Sequence, residues 1–586
     1  MAPTLTSVNV GAMPEVQDGV VAERRPTKGR IMSRDPLPMS VSPPPPGSEP
    51  AGWRDVAAFL ADPATHGLAE APRRIDTHAA VVFLAGPLAY KIKRPVRFPF
   101  LDFSTPALRE AACRREIAVD RPIAPQIYRR VVPITREADG RLAIGGAGEP
   151  VEWAVEMNRF DETATLDRVL ARGPLAPAFV DDLAATIARA EARARPREAG
   201  PWYADLGRYL AQNAEAFALR PDLFPPARAA ALTRAAAERH AVLADLVETR
   251  GRQGFVRLGH GDLHAGNIAV IDGRAQPFDA IEFDDAIATG DVLYDAGFLV
   301  MDLADRGDRA SARRLLDRLI LETARLEAER RRIAGDPAAI AAALFAEIDG
   351  LAALPLYLSV RAALRAKIAA ARAAHLDGGP RATAEAEAVR LFAAAFDHLE
   401  PRTPRLVAIG GLSGSGKSRL AEMLAPAFEP APGALVLRTD EIRKLLAGRV
   451  AEARLPAEVY TAEASVHVYG VLAAAARRAL AAGRSVILDA VAARPEERAD
   501  FAAIAAAAEV PFAGLWLDVD EATALARVGT RRGDASDADV TVVRLQRGFD
   551  LGTIDWTRLD ANGPPETVLA AARGRLGLDD RGAPSG

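Results

Sequence analysis

The chain has 586 residues, 49% of them hydrophobic and 26% charged, with a formal net charge of −4. That composition excludes bulk disorder and fibrous repeats, allows roughly two to four domains and leaves no global positive excess for a nucleic-acid surface. Cys113 is the only cysteine, which excludes an intrachain disulfide, and one Cys with eight His gives no zinc-ligand spacing.

Residues 1–50 carry no sustained periodicity and end in Ser42-Pro43-Pro44-Pro45-Pro46-Gly47, an extended linker composition. They read as a disordered tail in which Met32 and Met39 stand as alternative starts. Order begins near Trp53 with a short helix at 56–60. Strand-like runs follow at 79–84 and 88–93 about the Gly86-Pro87 turn, then a helix over 106–120 and strands at 127–134 and 151–157. Ala/Leu/Arg helical patterns fill most of 175–250 and 308–400, on either side of a loop-and-strand island at 255–300. Strands first and helices later predict a two-lobed α+β domain over 51–400. After Pro401-Arg402-Thr403-Pro404, strands at 406–409, 434–437, 485–488 and 512–517 alternate with helices. This predicts an α/β domain with a parallel sheet over 403–575. Residues 576–586 are Gly, Pro and charge and read as a flexible tail. No uncharged apolar run of about 18 residues and no signal-like N-terminus occur, so a soluble, cytoplasmic chain with no membrane partner is expected.

Six lysines (Lys28, Lys91, Lys93, Lys367, Lys417, Lys444) stand against 68 arginines. A retained lysine therefore marks a place that suits a compact ammonium better than a guanidinium fork. Lys417 belongs to Gly411-Leu412-Ser413-Gly414-Ser415-Gly416-Lys417-Ser418, which fits the P-loop pattern G-x-x-x-x-G-K-[ST]. Such a loop wraps backbone N–H groups around phosphates and adds the positive end of the following helix. Gly411, Ser413, Gly414, Ser415 and Gly416 would hold ATP, Lys417 would reach its β- and γ-phosphates, and the Ser418 hydroxyl would ligate Mg²⁺. Asp440 and Asp489 follow strands at the edge where parallel sheets present ligands. Both are expected to face the phosphates, Asp489 as a metal ligand; helix N-capping is the other role open to Asp440. Arg527, Arg531 and Arg532 cluster before Asp534, either to close over ATP or as a solvated face. The segment 405–575 resembles the small P-loop kinases, among them gluconate-kinase-like, zeta-toxin-like and polynucleotide-kinase-like enzymes. The resemblance implies Asp440 as the catalytic base on the acceptor side and Arg527, Arg531 and Arg532 as lid residues.

His260-Gly261-Asp262-Leu263-His264-Ala265-Gly266-Asn267 sets an acid five residues before an asparagine, as phosphoryl transfer uses on a catalytic loop. Asp262 would take the acceptor hydroxyl's proton and Asn267 would hold Mg²⁺. Metal-binding acids are expected on a short strand at 277–284, where period-2 alternation puts Asp279 and Glu282 on opposite faces, so that only one ligates. Lys91 ends Ala89-Tyr90-Lys91, like the A-x-K of kinases, and would grip ATP; Lys93 shares its face and is the alternative. Glu116 is the expected partner carboxylate, with Glu110 second. These residues, together with Gly290-Asp291-Val292-Leu293-Tyr294-Asp295, resemble the aminoglycoside-phosphotransferase-like branch of the protein-kinase fold over about 55–395. The resemblance implies ATP between two lobes, Met157-Asn158-Arg159 as the hinge, and Glu282 as metal ligand where the family carries Asp. The order of the halves is similar to bacterial bifunctional aminoglycoside phosphotransferase/ATP-binding proteins.

Two ATP sites are therefore expected, each transferring a phosphoryl group from Mg-ATP to a hydroxyl of a small-molecule acceptor. The alternative is a regulatory chain in which one module is degenerate and gates the other. Nucleic acid is not an expected partner, because no basic–aromatic platform is present. An aminoglycoside acceptor would call for an acidic cleft. Asp284, Asp285, Asp291, Asp295 and Asp302 are candidates for it, with a structural role open for Asp291 and Asp295.

Overall fold

The computed structural model describes residues 49–578 apart from 78, 99–100, 332–335 and 531–534. The tail expected at 1–50 and the tail at 576–586 lie almost wholly outside the described residues.

The N-terminal lobe is a six-stranded antiparallel sheet in the order Arg73–Asp76, Ala80–Ala85, Leu88–Lys93, Glu149–Asn158, Tyr128–Arg136, Leu142–Ile144. Gly86, at φ 59°, makes the tight turn between the second and third of these strands. Helix Ala51–Ala61 buries Trp53, Val56, Ala57 and Leu60 against the sheet. Helix Pro106–Asp120 is different. Its buried face is Arg109, Cys113, Glu116 and Asp120, a helical spacing occupied mostly by charge, which must find partners inside the protein.

The helical lobe is built on Val292–Asp305, buried from Val292 to Leu303, with Arg309–Arg330 and Leu354–Ala373 packed on it and Gly378–Asp397 packed in turn on Leu354–Ala373. Two short antiparallel ribbons frame the loop 259–267: Val256–Leu258 with Thr289–Asp291, and Ile268–Ile271 with Arg274–Pro277. The strand expected at 277–284 does not form. The ribbon ends at Pro277 and Asp279 takes φ 61°, the left-handed region. Its backbone bonds go elsewhere: the N–H groups of Phe278 and Ile281 donate to Asn267 and His260 carbonyls, and those of Asp279 and Ala280 to Tyr128 Oη and Asp120 Oδ1. No N–H from Phe278 to Ile281 is left for a ladder.

The C-terminal part is a five-stranded parallel sheet in the order Leu435–Arg438, Val486–Asp489, Leu406–Gly410, Phe512–Asp518, Thr557–Asp560. Its first three strands are buried throughout, as expected of a parallel sheet covered on both faces. Alternate residues divide between two cores: Val407, Ile409 and Val436 pack on helices Lys417–Leu424 and Pro565–Leu576. Leu406, Ala408 and Leu435 pack on the other side, in a core continuous with the helical lobe. Arg309–Arg330 lies against Leu435–Arg438 and Lys417–Leu424, and Pro337–Gly350 against Ala462–Ala481. The architecture is an α+β two-lobed protein-kinase-like arrangement followed by an α/β P-loop fold. Among the described residues, no single helix is long and apolar enough to cross a membrane.

Candidate functional site

The loop from Gly411 to Ser418 runs from strand Leu406–Gly410 into helix Lys417–Leu424. Gly411, Gly414 and Gly416 sit at φ 141°, 85° and 93°, and a Cβ at Gly414 would stand 2.7 Å from the Ala524 carbonyl oxygen, so only glycine suits that position. Ser415 Oγ is buried without a hydrogen-bond partner, Ser413 N–H donates to Gln546 Oε1 at 2.7 Å, and Lys417 Nζ donates to the Leu412 carbonyl at 3.2 Å. Ser418 Oγ donates to Asp489 Oδ2 at 2.6 Å. Arg438 reaches both, Nη2 to Ser418 Oγ at 2.9 Å and Nε to Asp489 Oδ2 at 3.1 Å. The orphaned Ser415 hydroxyl and the left-handed glycines ahead of the helix suit a phosphate, and Ser418 with Asp489, now bridged by Arg438, would hold Mg²⁺.

Asp440 lies in the first turn of helix Thr439–Leu446 and does not cap it; the cap position is Arg438, whose side chain makes no capping bond to the helix. Burial, and then the neighbouring Asp489 carboxylate, push the Asp440 carboxyl above its usual range. Arg527, on helix Glu521–Thr530, flanks the loop, its Nη1 3.4 Å from the Ser415 carbonyl and its Nη2 donating to the Ala561 carbonyl at 2.7 Å. Arg531 and Arg532 lie outside the described residues. Lys417, Ser418, Asp440, Asp489 and Arg527 all line one cavity of about 1750 Å³.

In the two-lobed part, Glu116 meets both lysines, Oε1 at 2.9 Å from Lys91 Nζ and Oε2 at 2.6 Å from Lys93 Nζ. Lys91 also pairs with Asp279 at 2.8 Å, and Lys93 with Glu282. Asp279 and Glu282 are thus drawn to one cluster rather than set on opposite faces, because their segment is not a strand. Glu110 pairs with Arg114 on the surface instead. Burial works against both ammonium groups, but Asp279 and Glu116 hold the Lys91 pKa well above its usual value, and Glu116 and Glu282 do the same for Lys93. Lys91 in turn holds Asp279 low. A divalent ion fits this set poorly. Both carboxylates already face ammonium groups, and among the described residues no three His, Cys, Asp or Glu side chains gather as metal ligands.

Asn267 Nδ2 donates to the Asp262 carbonyl at 3.0 Å and to its Oδ2 at 3.1 Å. Burial works to raise the Asp262 pKa, but the nearby His264, together with His260 and Arg361, leaves it below its usual value. The loop is held from behind: Asp295 accepts the N–H groups of His260 and Gly261 at 2.7 and 3.0 Å, and Asp302 accepts that of Ala265 at 3.0 Å. Asp291 caps the central helix and pairs with Arg250 at 2.6 Å, Asp284 caps Asp285–Ala288, and Asp285 pairs with Arg115 and Arg197. These five acids therefore do not converge into one cleft.

Sequence reasoning missed Arg438, whose position at a strand end ahead of Asp440 was its only signal. It also missed Asp120, one helical turn beyond Glu116 on the same charged face. Asp120 Oδ1 accepts the Ala280 N–H at 2.9 Å and so fixes the 279–282 segment; burial, and then Glu116, lift its pKa to about 8.

A family model described as AAA domain matches residues 406–549. An uncharacterized protein of Mycobacterium tuberculosis is 30% identical over 509 residues, covering 85% of this chain and 94% of its own length, and one of Mycobacterium bovis matches to the same extent. Among solved structures, a choline/ethanolamine kinase family protein from Mesorhizobium loti is 14% identical with a TM-score of 0.29, over 59% of this chain and 99% of its own. A sugar kinase from Janibacter is 22% identical with a TM-score of 0.23, over 30% of this chain and 96% of its own. The C-terminal part is a P-loop domain of nucleotide-dependent type, and the whole chain belongs to the family of these uncharacterized mycobacterial proteins.

Proposed function

We propose that the chain is an ATP-dependent phosphotransferase of two domains, 51–400 and 403–575, each passing the γ-phosphoryl group of ATP to a hydroxyl of a small-molecule acceptor. The observation that carries this reading is the shared cavity. Its volume of about 1750 Å³ exceeds the roughly 300–1,000 Å³ of single-ligand pockets, and its wall holds a phosphate cradle together with a carboxyl of raised pKa. Asp440 takes the proton of the acceptor hydroxyl as its oxygen attacks the γ-phosphorus and ADP leaves. Lys417 and Arg527 offset charge on the phosphate oxygens. Ser418 and Asp489 would hold Mg²⁺, which would supply charge neutralisation to the phosphates.

In the kinase-like half, Lys91 or Lys93 would hold the phosphates and Asp262 would take the proton. The likeness to bifunctional aminoglycoside phosphotransferase/ATP-binding proteins extends to the order of the halves and to their loops. It supports a family name rather than a drug substrate: Asp284, Asp285, Asp291, Asp295 and Asp302 bind backbone groups and arginines, not a polycation. One observation favours a regulatory reading of this half, the ion pair that Lys93 makes with Glu282. A calorimetric titration with Mg²⁺ and a non-hydrolysable ATP analogue decides between them. Two sites, one lost in Lys91→Ala and the other in Lys417→Ala, support two transfer centres. A single site, lost only in Lys417→Ala, makes the N-terminal half a degenerate partner of the P-loop.

A further inference from the structure

Helix Thr439–Leu446 carries Asp440 and, one turn on, Arg443, so that the two are neighbours on one face. Arg443 is 8% exposed, and its hydrogen bonds go to neutral oxygens, Nη1 to the Val459 carbonyl at 3.4 Å and Nη2 to Ser465 Oγ at 3.2 Å. Its Nε is buried without a partner. A guanidinium taken out of water with N–H groups unmet is costly until an anion meets it, and its planar fork suits a carboxylate or a phosphate group. Arg443 rests over the Tyr460 ring at 5.0 Å and lines the same cavity as Asp440.

Beside it the wall is apolar. Among the described residues twelve large apolar or aromatic side chains stand well exposed, and four of them, Tyr460, Val466, Leu545 and Phe549, line this one cavity. Val466 and Leu545 are each about two-thirds exposed and come from different helices, Ala462–Ala481 and Val540–Arg547. Apolar residues scattered singly over a surface call for no explanation, but four gathered in one concavity do. Two acids of the same wall are already engaged: Asp537 by Lys444 and the Tyr460 hydroxyl, Asp539 by the first N–H groups of helix Val540–Arg547.

We propose that the acceptor of the P-loop half is an amphiphilic hydroxyl compound, with an anionic group that meets Arg443 and an apolar body that covers Val466 and Leu545. The inference rests on the reading of this half as a phosphotransferase in which Asp440 receives the hydroxyl, and it narrows the acceptor class. A few placed polar groups orient a ligand while an apolar wall supplies most of its contact. Here the anion fixes which end of the acceptor lies at helix Thr439–Leu446, and the hydroxyl is then held at Asp440. A neutral polyol would leave both the guanidinium and the apolar side chains unmet.

The test is calorimetric, on the full chain held with Mg²⁺ and a non-hydrolysable ATP analogue, so that acceptors bind without reacting. Three probes are compared: para-(hydroxymethyl)benzoate, which has hydroxyl, anion and apolar body; benzyl alcohol, which lacks the anion; and glycerate, which lacks the apolar body. The benzoate is expected to bind roughly tenfold tighter than either. Arg443→Gln is expected to erase its advantage over benzyl alcohol, and Arg443→Lys, which keeps the charge, to restore part of it. The double variant Val466→Ser, Leu545→Ser, at two exposed positions, is expected to erase its advantage over glycerate and to keep the preference for the anion. In a second series para-(hydroxymethyl)phenyl phosphate replaces the benzoate, and the tighter of the two names the anion. If both aromatic anions bind no tighter than benzyl alcohol or glycerate, or if the variants weaken all probes alike or leave the preferences unmoved, the proposal is overturned. A wild-type chain that binds the analogue and none of the probes also overturns it, while the P-loop reading stands. A chain that does not bind the analogue overturns both.

Discussion

In the kinase-like half two ammonium groups share one carboxylate, Glu116, whereas in the P-loop half one guanidinium, Arg438, is shared by two carboxylates, Asp489 and Glu441. Both arrangements bury a protein cation among acids that phosphoryl-transfer chemistry would offer to metal. They differ in depth. Glu116 and Lys93 are 0% and 2% exposed, whereas Glu441 and its second partner Arg318 are 7% and 9% exposed. A lysine pair on adjacent same-face positions of a strand is thus a rigid device, and a guanidinium fork between acids is one that can shift its bonds.

Removing the shared anion tests this difference with the largest effect. Glu116→Ala leaves Lys91 on Asp279 and Lys93 on Glu282 in the more deeply buried cluster and should cost about 3–5 kcal/mol in urea unfolding. Glu441→Ala leaves Arg438 on Asp489 and Arg318 on Asp181, and should cost about 1–2 kcal/mol. Equal losses would break the comparison.

The next test separates the two loops by their glycines. Gly414 and Gly261 both have left-handed φ, 85° and 80°, and their Cβ atoms would lie 2.7 Å from the Ala524 carbonyl oxygen and 3.0 Å from Ala288 Cα. Alanine at either position carries a strain of about 1–2 kcal/mol. Gly414→Ala should weaken nucleotide binding at the P-loop by roughly tenfold or more and leave the kinase-like loop unaffected, with the converse for Gly261→Ala. Calorimetry on the two variants resolves which site each one touches.

The strands of the parallel sheet and the P-loop were legible because both are local: apolar runs of strand length, and glycines at fixed offsets before a lysine. The charged core was not. Helix Pro106–Asp120 carries its signal as a charged stripe at 109, 116 and 120, which periodicity reads as solvent-facing until Glu152, Lys91 and Lys93 are brought against it by the sheet. The 277–284 segment has strand composition, yet the N–H groups of Phe278 to Ile281 are claimed by Asn267, Tyr128, Asp120 and His260, and two of those partners lie more than 150 residues away. Arg438 is one arginine among 68, and its place beside Ser418 and Asp489 depends on strand order in the folded sheet.

The contact between the halves carries its own titration. Asp317 Oδ2 accepts the Val436 N–H at 3.2 Å and pairs with Arg313, which also reaches Glu422. Burial lifts its pKa from 3.8 to about 7, opposed by Arg313 and aided by Glu422. Between those values the folded state binds more protons than the unfolded one, so the contribution of Asp317 is full in acid and is lost as pH rises through about 7. Asp317→Asn, which keeps an oxygen for Val436, should gain on wild type between pH 5 and pH 8 by on the order of 1–3 kcal/mol. Denaturant melts of both proteins across that range read the effect, and parallel curves would show that Asp317 stays ionised.

The rim of the same contact should matter least. Arg478 on helix Ala462–Ala481 pairs with Asp349 on Pro337–Gly350 at 2.6 Å, with both side chains about two-fifths exposed. Its guanidinium also rests over the Phe345 ring at 4.8 Å, so loss of the carboxylate leaves it well placed. Asp349→Ala is expected to cost no more than about 0.5 kcal/mol and to show no further loss at high salt, because exposed pairs are already screened. The pair of Arg313 with Glu422, buried on the arginine side and one-quarter exposed on the acid, is screened less, and Glu422→Ala should cost several times more. If the rim variant proved the more damaging, the halves would be held by their surface charges rather than by the buried arginines and their acids.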